Sequence, residues 1–262
     1  MQKIISWNVA SVRARLPALL KFLEQEQPDI MFLQEIKATD DTFPFFDLQI
    51  AGYTSVISGQ KGYNGVAILS RQPVRNITDT LPNFTDQARF LQVETFTGQV
   101  LICIYAPNGN PPEKDPTDTT RLTYKLNWFS ALKDHLAPLI QSGKSIILGG
   151  DFNVIERDTD VYCPDLFRNS ALMIPPVRQA FTNLNNLPLH NIIRHFYPDS
   201  NTYSFWDFQG GAWPKNNGIL LDFFLTDSKT FSCVKSAKIY KEVRGWPQTS
   251  DHVPIGMTLD LP

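Results

Sequence analysis

The amino-acid sequence predicts an α/β protein built as a four-layer α/β/β/α sandwich, in which two mixed β-sheets pack against each other between helices. Two observations predict this architecture. Short apolar runs of four to eight residues, rich in Ile, Val, Phe and Tyr, recur along the chain, whereas helical periodicity is confined to a few segments. Many strands and few helices bury their apolar faces when sheets pack together and helices cover them.

The strand predictions follow the apolar runs in chain order. Each run is bounded by Gly, Pro, Asn or Asp, which favour turns. The predicted strands span residues 3–7, 29–33, 53–57, 66–70, 89–95, 100–105, 145–148, 220–225, 233–240 and 252–259. Two long connections, 107–118 and 207–218, are rich in Gly, Pro and Asn, and loops of this length in compact domains are often functional.

Helices are predicted where leucines recur at a period of three to four residues. The first covers 15–26, with Pro17 near its start and Pro28 beyond its end, and a longer one covers 119–140. Segment 177–187 is a third candidate. Segment 40–48 is a fourth, although Pro44 interrupts it.

Size and composition favour one compact unit. The 262 residues, 42% of them hydrophobic, suffice for a substantial core, and no linker or internal repeat divides them, so we expect a single domain over 1–262. No segment approaches the roughly 18 apolar residues of a membrane span. No signal peptide precedes the first strand, so we expect neither membrane attachment nor secretion.

Cysteine usage and charge narrow the location and partners. The chain has three cysteines without ligand spacing, and Cys103 lies inside an apolar run, so disulfides and structural zinc are not expected. A reduced, cytoplasmic, monomeric protein is predicted. The net charge of −2 and pI of about 6.1 exclude a globally basic nucleic-acid binder, but not a local basic face.

Polar side chains fall where predicted strands begin or end, which is where rigid scaffolds place working groups. Each also has a structural explanation, because Asn and Asp are common turn residues and a Glu or an Asp-His pair can simply flank a strand. These residues are Asn8, Glu35, Asp151, Asn153, Asp222, Asp251 and His252.

Asp222 is the member of this set that a structural explanation fits least. Three apolar residues flank it on each side, and burying a lone charge is expensive, so this carboxylate needs a donor or a cation. Histidines are scarce in the chain, and His252 is next to Asp251. We therefore expect an Asp222–His252 hydrogen bond, which would fix the imidazole tautomer and raise its basicity.

The remaining polar residues form an oxygen-rich set without thiolates. The candidates for holding a metal are Asn8, Glu35, Asp151, Asn153 and Asp251. Hard oxygen ligands suit Mg²⁺, with Mn²⁺ as a substitute, better than zinc. Gly149 and Gly150 before Asp151 would let a phosphate approach the backbone closely. The spacing predicts metal-assisted hydrolysis or transfer at phosphorus.

At these residues the sequence resembles the exonuclease III/AP-endonuclease branch of the endonuclease/exonuclease/phosphatase superfamily, in the bacterial exodeoxyribonuclease III form. The matching segments occur in the family's order and cover almost the whole chain. They are Ser6-Trp7-Asn8-Val9, Leu33-Gln34-Glu35-Ile36-Lys37, 62–68, Tyr105-Ala106-Pro107-Asn108-Gly109, Gly149-Gly150-Asp151-Phe152-Asn153, Tyr203-Ser204-Phe205-Trp206-Asp207 and Ser250-Asp251-His252-Val253-Pro254. The ordered set is far more specific than any single segment.

The resemblance implies roles for the site residues. Asn8 and Glu35 would hold the metal with Asp251 nearby, and Asp151 would orient or deprotonate the attacking water. Asn153 would contact the scissile phosphate, with Tyr105 also in the site. His252, held by Asp222, would donate to a phosphate oxygen. The implied activity is Mg²⁺-dependent cleavage 5′ to abasic sites in double-stranded DNA, with 3′→5′ exonuclease and 3′-repair activity at blocked or recessed ends.

Candidate DNA contacts lie next to the motifs, although each taken alone is equally explained as a solvated charge or a core aromatic. Trp206 and Trp213 would line a pocket for a flipped abasic sugar. The predicted contacts are Arg13, Lys37, Asn64, Trp206, Trp213 and Lys215, and Arg15, Lys61 and Lys125 are further candidate phosphate contacts.

Two positions depart from the family pattern. Ala10 stands where a second Asn is usual, which would loosen the surroundings of Asn8, and Leu220 stands where an Arg is usual. Two alternative functions remain open at this stage. One is a phosphodiesterase of the same fold acting on RNA or another phosphoester, and the other is a non-catalytic DNA-binding relative.

Overall fold

The computed structural model describes residues 1–199 and 201–260, which form two six-stranded mixed sheets. The first sheet has the order β11-β12-β1-β2-β4-β3, and the second has the order β5-β6-β7-β8-β10-β9. The strands are β1 Gln2–Asn8, β2 Ile30–Gln34, β3 Thr54–Ser58, β4 Val66–Ser70, β5 Val74–Thr78, β6 Phe90–Thr95, β7 Val100–Tyr105, β8 Ile146–Asp151, β9 Leu189–Asn191, β10 Asp222–Asp227, β11 Val234–Ile239 and β12 Ile255–Leu259.

Helices cover the outer faces of both sheets. They are α1 Leu16–Glu26, α2 Phe45–Ile50, α3 Thr120–Gln141, α4 Pro175–Asn185, α5 Ile192–Phe196 and α6 Ser228–Cys233. On α1, Phe22 packs against Trp7 of the first sheet, with ring centroids 5.7 Å apart. On α4, Phe181 packs against Phe223 of the second sheet at 5.3 Å. These contacts make the outer two layers of the predicted four-layer α/β/β/α sandwich.

The two inner sheet faces share one apolar core. Phe32 of β2 meets Phe224 of β10 with centroids 6.2 Å apart, and both side chains are buried. Gly149 lies beneath this pair, because a Cβ there would collide with both rings. Among the residues that the structure describes, no helix is long and apolar enough to cross a membrane.

Strand direction brings the polar residues to one end of the sandwich. Within the first sheet β1 and β2 run parallel, so Asn8 and Gln34 are neighbours where both strands end. Within the second, β7 and β8 run parallel, with Tyr105 opposite Asp151. Because β10 runs antiparallel to β8, its first residue, Asp222, also lies opposite Asp151.

Most predicted elements are present, and the differences have local causes. Strand β5 escaped prediction because its sequence, Val-Arg-Asn-Ile-Thr, is largely solvent-exposed, and β9 is only three residues long. Helix α2 starts after Pro44 instead of running through it. Strand β12 starts at Ile255, three residues later than predicted, since residues 252–254 form the loop that carries His252. The prediction of a single domain stays a prediction.

Candidate active site

Asn8 links the two sheets at the end where the polar residues gather. Its buried Nδ2 donates to Glu35 Oε1 at 3.2 Å and to Asp151 Oδ2 at 3.0 Å. Its Oδ1 accepts the backbone N–H of Ala10 at 3.1 Å. One amide therefore joins a carboxylate of the first sheet to a carboxylate of the second.

Glu35 lies directly beyond β2 and is surrounded by donors. Tyr105 Oη donates to its Oε1 at 2.6 Å, and Lys37 Nζ lies 2.8 Å from its Oε2. Burial opposes ionisation of Glu35, but the bonds from Lys37, Tyr105 and Asn8 outweigh it and hold the pKa below its ordinary value. Glu35 stays an anion at the floor of the site.

The backbone at Glu35 and Lys37 is unusual. Their φ angles are 51° and 49°, in the left-handed region that side chains other than Gly, Asn and Asp rarely adopt. Bonds from Ile36 N to Gly65 O at 3.1 Å and from Lys37 N to Asn64 O at 2.9 Å hold this turn in place. Strained turns of this kind are concentrated at functional sites.

Asp151 ends β8 and is fully enclosed. Its Oδ1 accepts the backbone N–H of Asn153 at 2.8 Å, and Asn153 itself has a left-handed φ of 50°. Burial raises the pKa of Asp151 to about 7, against the opposing effect of His252. A buried carboxylate with a pKa near neutrality is suited to accept a proton.

Asp222 and His252 form the hydrogen-bonded pair predicted from the sequence. His252 Nδ1 lies 2.8 Å from Asp222 Oδ2, and both residues are buried. Ser204 Oγ donates to the same carboxylate oxygen at 2.6 Å and accepts the backbone N–H of Leu221 at 3.1 Å. The buried Asp222 carboxylate, which needed a hydrogen-bond donor, therefore has two, Ser204 and His252.

The second nitrogen of His252 points toward Asp151, with Nε2 3.6 Å from Asp151 Oδ2. Burial by itself would lower the pKa of His252, but Asp222 and Asp151 outweigh it and raise the pKa to about 10. The imidazole is therefore cationic at neutral pH. Trp7 Nε1 donates to the His252 carbonyl at 3.0 Å, and the Phe205 ring lies 4.9 Å from the imidazole.

Ser250 connects Asp251 to Asn8 by hydrogen bonds. Ser250 Oγ contacts the Asn8 carbonyl at 2.7 Å and Asp251 Oδ1 at 3.2 Å. Asn8 is bonded to Glu35, and Ser250 ties Asp251 to Asn8; these three residues, here called the oxygen corner, stay the predicted ligands of a hard divalent cation.

A second group with metal-binding potential consists of Asp151, Asp222 and His252, whose ligand atoms lie within 4.8 Å of one another. Asp222 and His252 already bond each other, and a nitrogen donor is a poor ligand for Mg²⁺. Asp222 Oδ1 has no hydrogen-bond partner among the described residues. Asp151 contacts both His252 of this group and Asn8 of the oxygen corner.

Asn153 is tied to the loop after β7. Its Nδ2 donates to the Ala106 carbonyl at 2.9 Å, and its Oδ1 lies 3.4 Å from Asn108 Nδ2. The predicted catalytic residues Tyr105, Asp151, Asn153, Asp222 and His252 and the predicted metal ligands are therefore assembled at one end of the sandwich.

Burial bears on two of the predicted substrate contacts, Trp206 and Asn64. Trp206 has no exposed surface, packs edge-on against Trp213 at 5.0 Å and donates to Asn216 at 3.2 Å, so it cannot line an open pocket. Asn64 is 5% exposed, and its amide donates to Gln60 Oε1 at 3.0 Å. Asn153 is equally exposed, so this burial does not decide the matter, and the substrate contact of Asn64 stays a prediction.

Two further expectations are corrected in the same way. Lys125 is fully buried and bonded to backbone carbonyls, so it cannot contact a phosphate. Gly149 and Gly150 serve the sheet instead of a phosphate, because a Cβ at Gly149 would strike Phe224 and one at Gly150 would strike the Ile104 carbonyl. Close packing, and not ligand approach, requires glycine there.

The other predicted contacts retain exposed surface. Arg13 and Lys215 are exposed, although Lys215 Nζ donates to the Gly210 carbonyl at 2.9 Å. Lys37 is half-buried beside Glu35, and Trp213 is half-buried between Trp206 and solvent. Nothing in their geometry prevents contact with a nucleic acid.

Three residues with a place in the site escaped sequence reasoning. Ser204 lies inside a quoted motif, but a serine among aromatics gave no sign of bonding Asp222. Arg89 stacks over the Tyr105 ring at 4.8 Å, and burial lowers its pKa. Phe208 is 52% exposed, with Arg15 and Arg244 over its ring at 5.6 and 5.0 Å.

The two departures from the family pattern are accommodated. Ala10 has a left-handed φ of 47°, and its N–H to Asn8 Oδ1 keeps the amide oriented without a second Asn. Leu220 is fully buried, and its N–H donates to the Asp160 carbonyl at 2.8 Å. The Asp160 carboxylate pairs with Arg194 at 2.6 Å, so no salt bridge to position 220 is required.

Two carboxylates, an imidazolium and an amide lie together at one end of the two-sheet sandwich. This combination is typical of a hydrolase of phosphoesters. Comparison with known proteins agrees. Residues 5–252 match the model of the Endonuclease/Exonuclease/phosphatase family. The chain belongs to this family, as an exodeoxyribonuclease III/AP-endonuclease type of phosphodiester hydrolase.

Individual relatives extend over the whole chain. An exodeoxyribonuclease of Bacillus subtilis is 31% identical, with 99% of this chain and 100% of that protein covered. An AP endonuclease structure from Archaeoglobus fulgidus superposes with a TM-score of 0.93 at 28% identity, covering 100% of both chains. The 3′ phosphatase NExo from Neisseria, solved with a product DNA hairpin, has a TM-score of 0.93 at 32% identity, again covering 100% of both chains.

Proposed function

We propose that this protein is a Mg²⁺-dependent DNA-repair phosphodiesterase that cleaves 5′ to abasic sites and also processes 3′ ends by exonuclease and 3′-repair activity. One observation carries the proposal. A buried imidazolium stands between two buried carboxylates, Asp222 at 2.8 Å and Asp151 at 3.6 Å, beside an oxygen-rich corner. Such an array can take a proton from water and donate one to a phosphate oxygen at the same time.

Each residue receives a role from its surroundings. Asp151, whose pKa is raised to about 7, would accept the proton of the attacking water. The attack would form a bond from the water oxygen to phosphorus and break the bond from phosphorus to the 3′ oxygen. His252, oriented by Asp222 through Nδ1, would donate its Nε2 proton to that phosphate oxygen, which leaves as a 3′-hydroxyl, and Asn153 would contact the same phosphate. Tyr105 would hold Glu35. A Mg²⁺ ion held by Asn8, Glu35 and Asp251, with Asp151 and Asn153 close by, would supply charge neutralisation at the phosphate.

The surroundings of the site can hold a DNA backbone despite the acidic net charge. On the Tyr105 side, a cleft of about 470 Å³ is lined by Arg89, Asn108 and Arg121. On the Asp251 side, Arg15 and Arg244 flank the exposed ring of Phe208. Guanidinium groups bind phosphates and an exposed aromatic ring stacks on bases, so both edges suit a nucleic acid.

A second candidate function is the processing of 3′ ends without incision at abasic sites. Trp206 is buried, which removes one wall of the predicted sugar pocket. Phe205, next to His252, packs against a small apolar cluster that includes Ile219 and Leu221. A terminal 3′-phosphate could reach His252 without a pocket that admits a flipped sugar. The Neisseria relative is a 3′ phosphatase, which supports this second candidate.

The test uses three DNA duplexes: one with an internal tetrahydrofuran abasic analogue, one with a 3′-phosphate and one with a plain recessed 3′ end. We expect cleavage that requires Mg²⁺, is supported by Mn²⁺, and disappears with chelator and in Asp151→Asn. Release of inorganic phosphate from the second duplex alone would select 3′-end processing. The absence of any metal-dependent product from all three would contradict the proposed function.

Parallel assays separate the alternatives. Cleavage of single-stranded or structured RNA at a higher kcat/KM than any of the duplexes would favour an RNA phosphodiesterase of the same fold. Tight binding of the abasic duplex without cleavage would favour a non-catalytic DNA-binding relative. The cytoplasmic location and the monomeric state stay predictions of the sequence.

A further inference from the structure

Lys125 is a fully buried lysine close to the candidate active site. It lies in the second turn of α3, and no part of it is exposed. Its Nζ donates to the backbone carbonyls of Asn108 at 3.0 Å, Asn153 at 2.6 Å and Ala171 at 2.7 Å. All three ammonium hydrogens are used, and none of the acceptors is a carboxylate.

The three carbonyls belong to three different loops. Asn108 follows β7, Asn153 follows β8, and Ala171 lies in the segment before α4. The space around the lysine is tight, because a Cβ added to Gly109 would collide with its Cδ. The three bonds, 2.6 to 3.0 Å long, let a single side chain clamp the three loops together.

Lys125 holds the backbone at Asn153, whose conformation positions two groups of the candidate active site. Asn153 has a left-handed φ of 50°, and its carbonyl is held by Lys125 while its own N–H donates to Asp151 Oδ1. The same loop is fixed on its other side by Asn153 Nδ2 bonding the Ala106 carbonyl. A shift of the Asn153 peptide would therefore move the amide and rotate the Asp151 carboxylate.

We propose that Lys125 is a positioning residue that aligns Asn153 and, through the Asn153 N–H, Asp151. The ammonium touches neither substrate nor reacting atoms. Its effect on activity rests on the proposed function, whereas its effect on loop order does not. Loss of the clamp leaves three buried carbonyls unpaired and frees the turn at Asn153 to relax.

The decisive variant is Lys125→Met, which keeps an unbranched side chain and removes the donors. The matched control is Lys133→Met, an exposed lysine on the same helix. Steady-state kinetics on the duplex that the wild type cleaves fastest should show kcat about tenfold lower for Lys125→Met with KM changed less than about threefold, since misplaced catalytic groups cost rate more than binding. Hydrogen exchange should speed up in residues 106–110 and 152–155, and the control should match the wild type.

A double-mutant cycle with Asn153→Ala separates positioning from general destabilisation. Asn153→Ala removes the amide side chain but keeps the backbone N–H that bonds Asp151, so Lys125→Met should cost less in this background than in the wild type, the remaining loss being the part that acts through Asp151. An equal loss in both backgrounds, an unchanged kcat, or unchanged exchange at 152–155 would overturn the proposal. Where Lys125→Met does not fold, Lys125→Gln takes its place and the same outcomes decide. If the wild type cleaves no DNA, exchange alone decides for Lys125, and the proposed function fails separately.

Discussion

His252 Nδ1 lies 2.8 Å from Asp222 Oδ2, while its Nε2 lies 3.6 Å from Asp151 Oδ2, so one buried imidazole stands between two buried carboxylates. The first distance is a hydrogen bond that fixes the orientation of the ring. The second is too long for a good hydrogen bond and leaves the Nε2 proton available. Asp222 therefore orients the His252 ring through Nδ1, and the N–H at Nε2 stays free to donate to a substrate.

Replacement of Asp222 by Asn should remove most of the activity with little effect on substrate binding. The variant keeps the shape of the side chain but removes the charge that holds the imidazolium, and we expect kcat to fall by about 100-fold or more. Ser204→Ala, which removes the 2.6 Å bond to Asp222 but keeps its charge, should lose about tenfold. Single-turnover rates check both, and equal losses in the two variants would contradict this assignment.

The charge of His252 can be read directly by NMR of the imidazole signals in metal-free protein. Because Asp222 and Asp151 raise its pKa to about 10, His252 should keep its proton well above neutrality, and Asp222→Asn should bring its titration to lower pH. His135 is an internal control, since burial lowers its pKa. Loss of the His252 proton near pH 6.5 in the wild type would rule out the electrostatic role of Asp222.

The raised pKa of His252 makes the free energy of unfolding depend on pH. The folded pKa of His252 lies above the unfolded value of 6.5, so its contribution is fully present below pH 6.5 and is lost as pH rises toward 10. The wild type should therefore lose stability across this window relative to Asp222→Asn, measured by urea unfolding with chelator. Lys125, whose burial lowers its pKa to about 7, contributes an opposite slope, but equally in both proteins.

The sequence predicted contacts best where a residue required a partner. Asp222, enclosed by apolar neighbours, had to find a partner, and the hydrogen bond to His252 is present. The parallel pairing of β7 with β8 brings Tyr105 and Asp151 together at their ends, which the order of apolar runs alone could only suggest. The layers followed from counting strands and helices, because few other arrangements bury so many short apolar runs.

Sequence reasoning failed where side-chain direction decides the outcome. Trp206 was predicted to line the sugar pocket and Lys125 was a candidate phosphate contact, with core packing and a solvated charge as the respective alternatives, yet both point into the core. Neither residue type reveals its direction, because a tryptophan near a site can pack in the core or line a pocket, and a lysine is buried only when acceptors surround it. Only the three carbonyls around Lys125, drawn from distant segments, explain its burial.

Magnesium should stabilise the folded protein, independently of any cleavage. At a hundredfold excess over its Kd, a ligand that binds only the folded state adds about 2.7 kcal/mol, which raises the Tm of a chain of this size by roughly 5–10 °C. Glu35→Gln should abolish most of this rise, because it removes a charged oxygen ligand from the corner next to Asn8. Glu94→Gln, at a carboxylate paired with Arg75 and Lys144, is the control. An equal Tm rise in Glu35→Gln would place the ion elsewhere.

Phe208→Ala should weaken DNA binding while leaving the chemical step intact. The ring is 52% exposed on the Asp251 side of the site, where Arg15 and Arg244 flank it, and stacking of a base on an exposed ring contributes about 1–3 kcal/mol. We expect KM to rise by roughly five- to tenfold or more with kcat within about twofold of the wild type. The matched control is Phe96→Ala, since Phe96 is 65% exposed, has Arg75 at 5.4 Å over its ring and lies at the other end of β7. Equal effects of the two substitutions on KM would show that Phe208 does not contact the DNA.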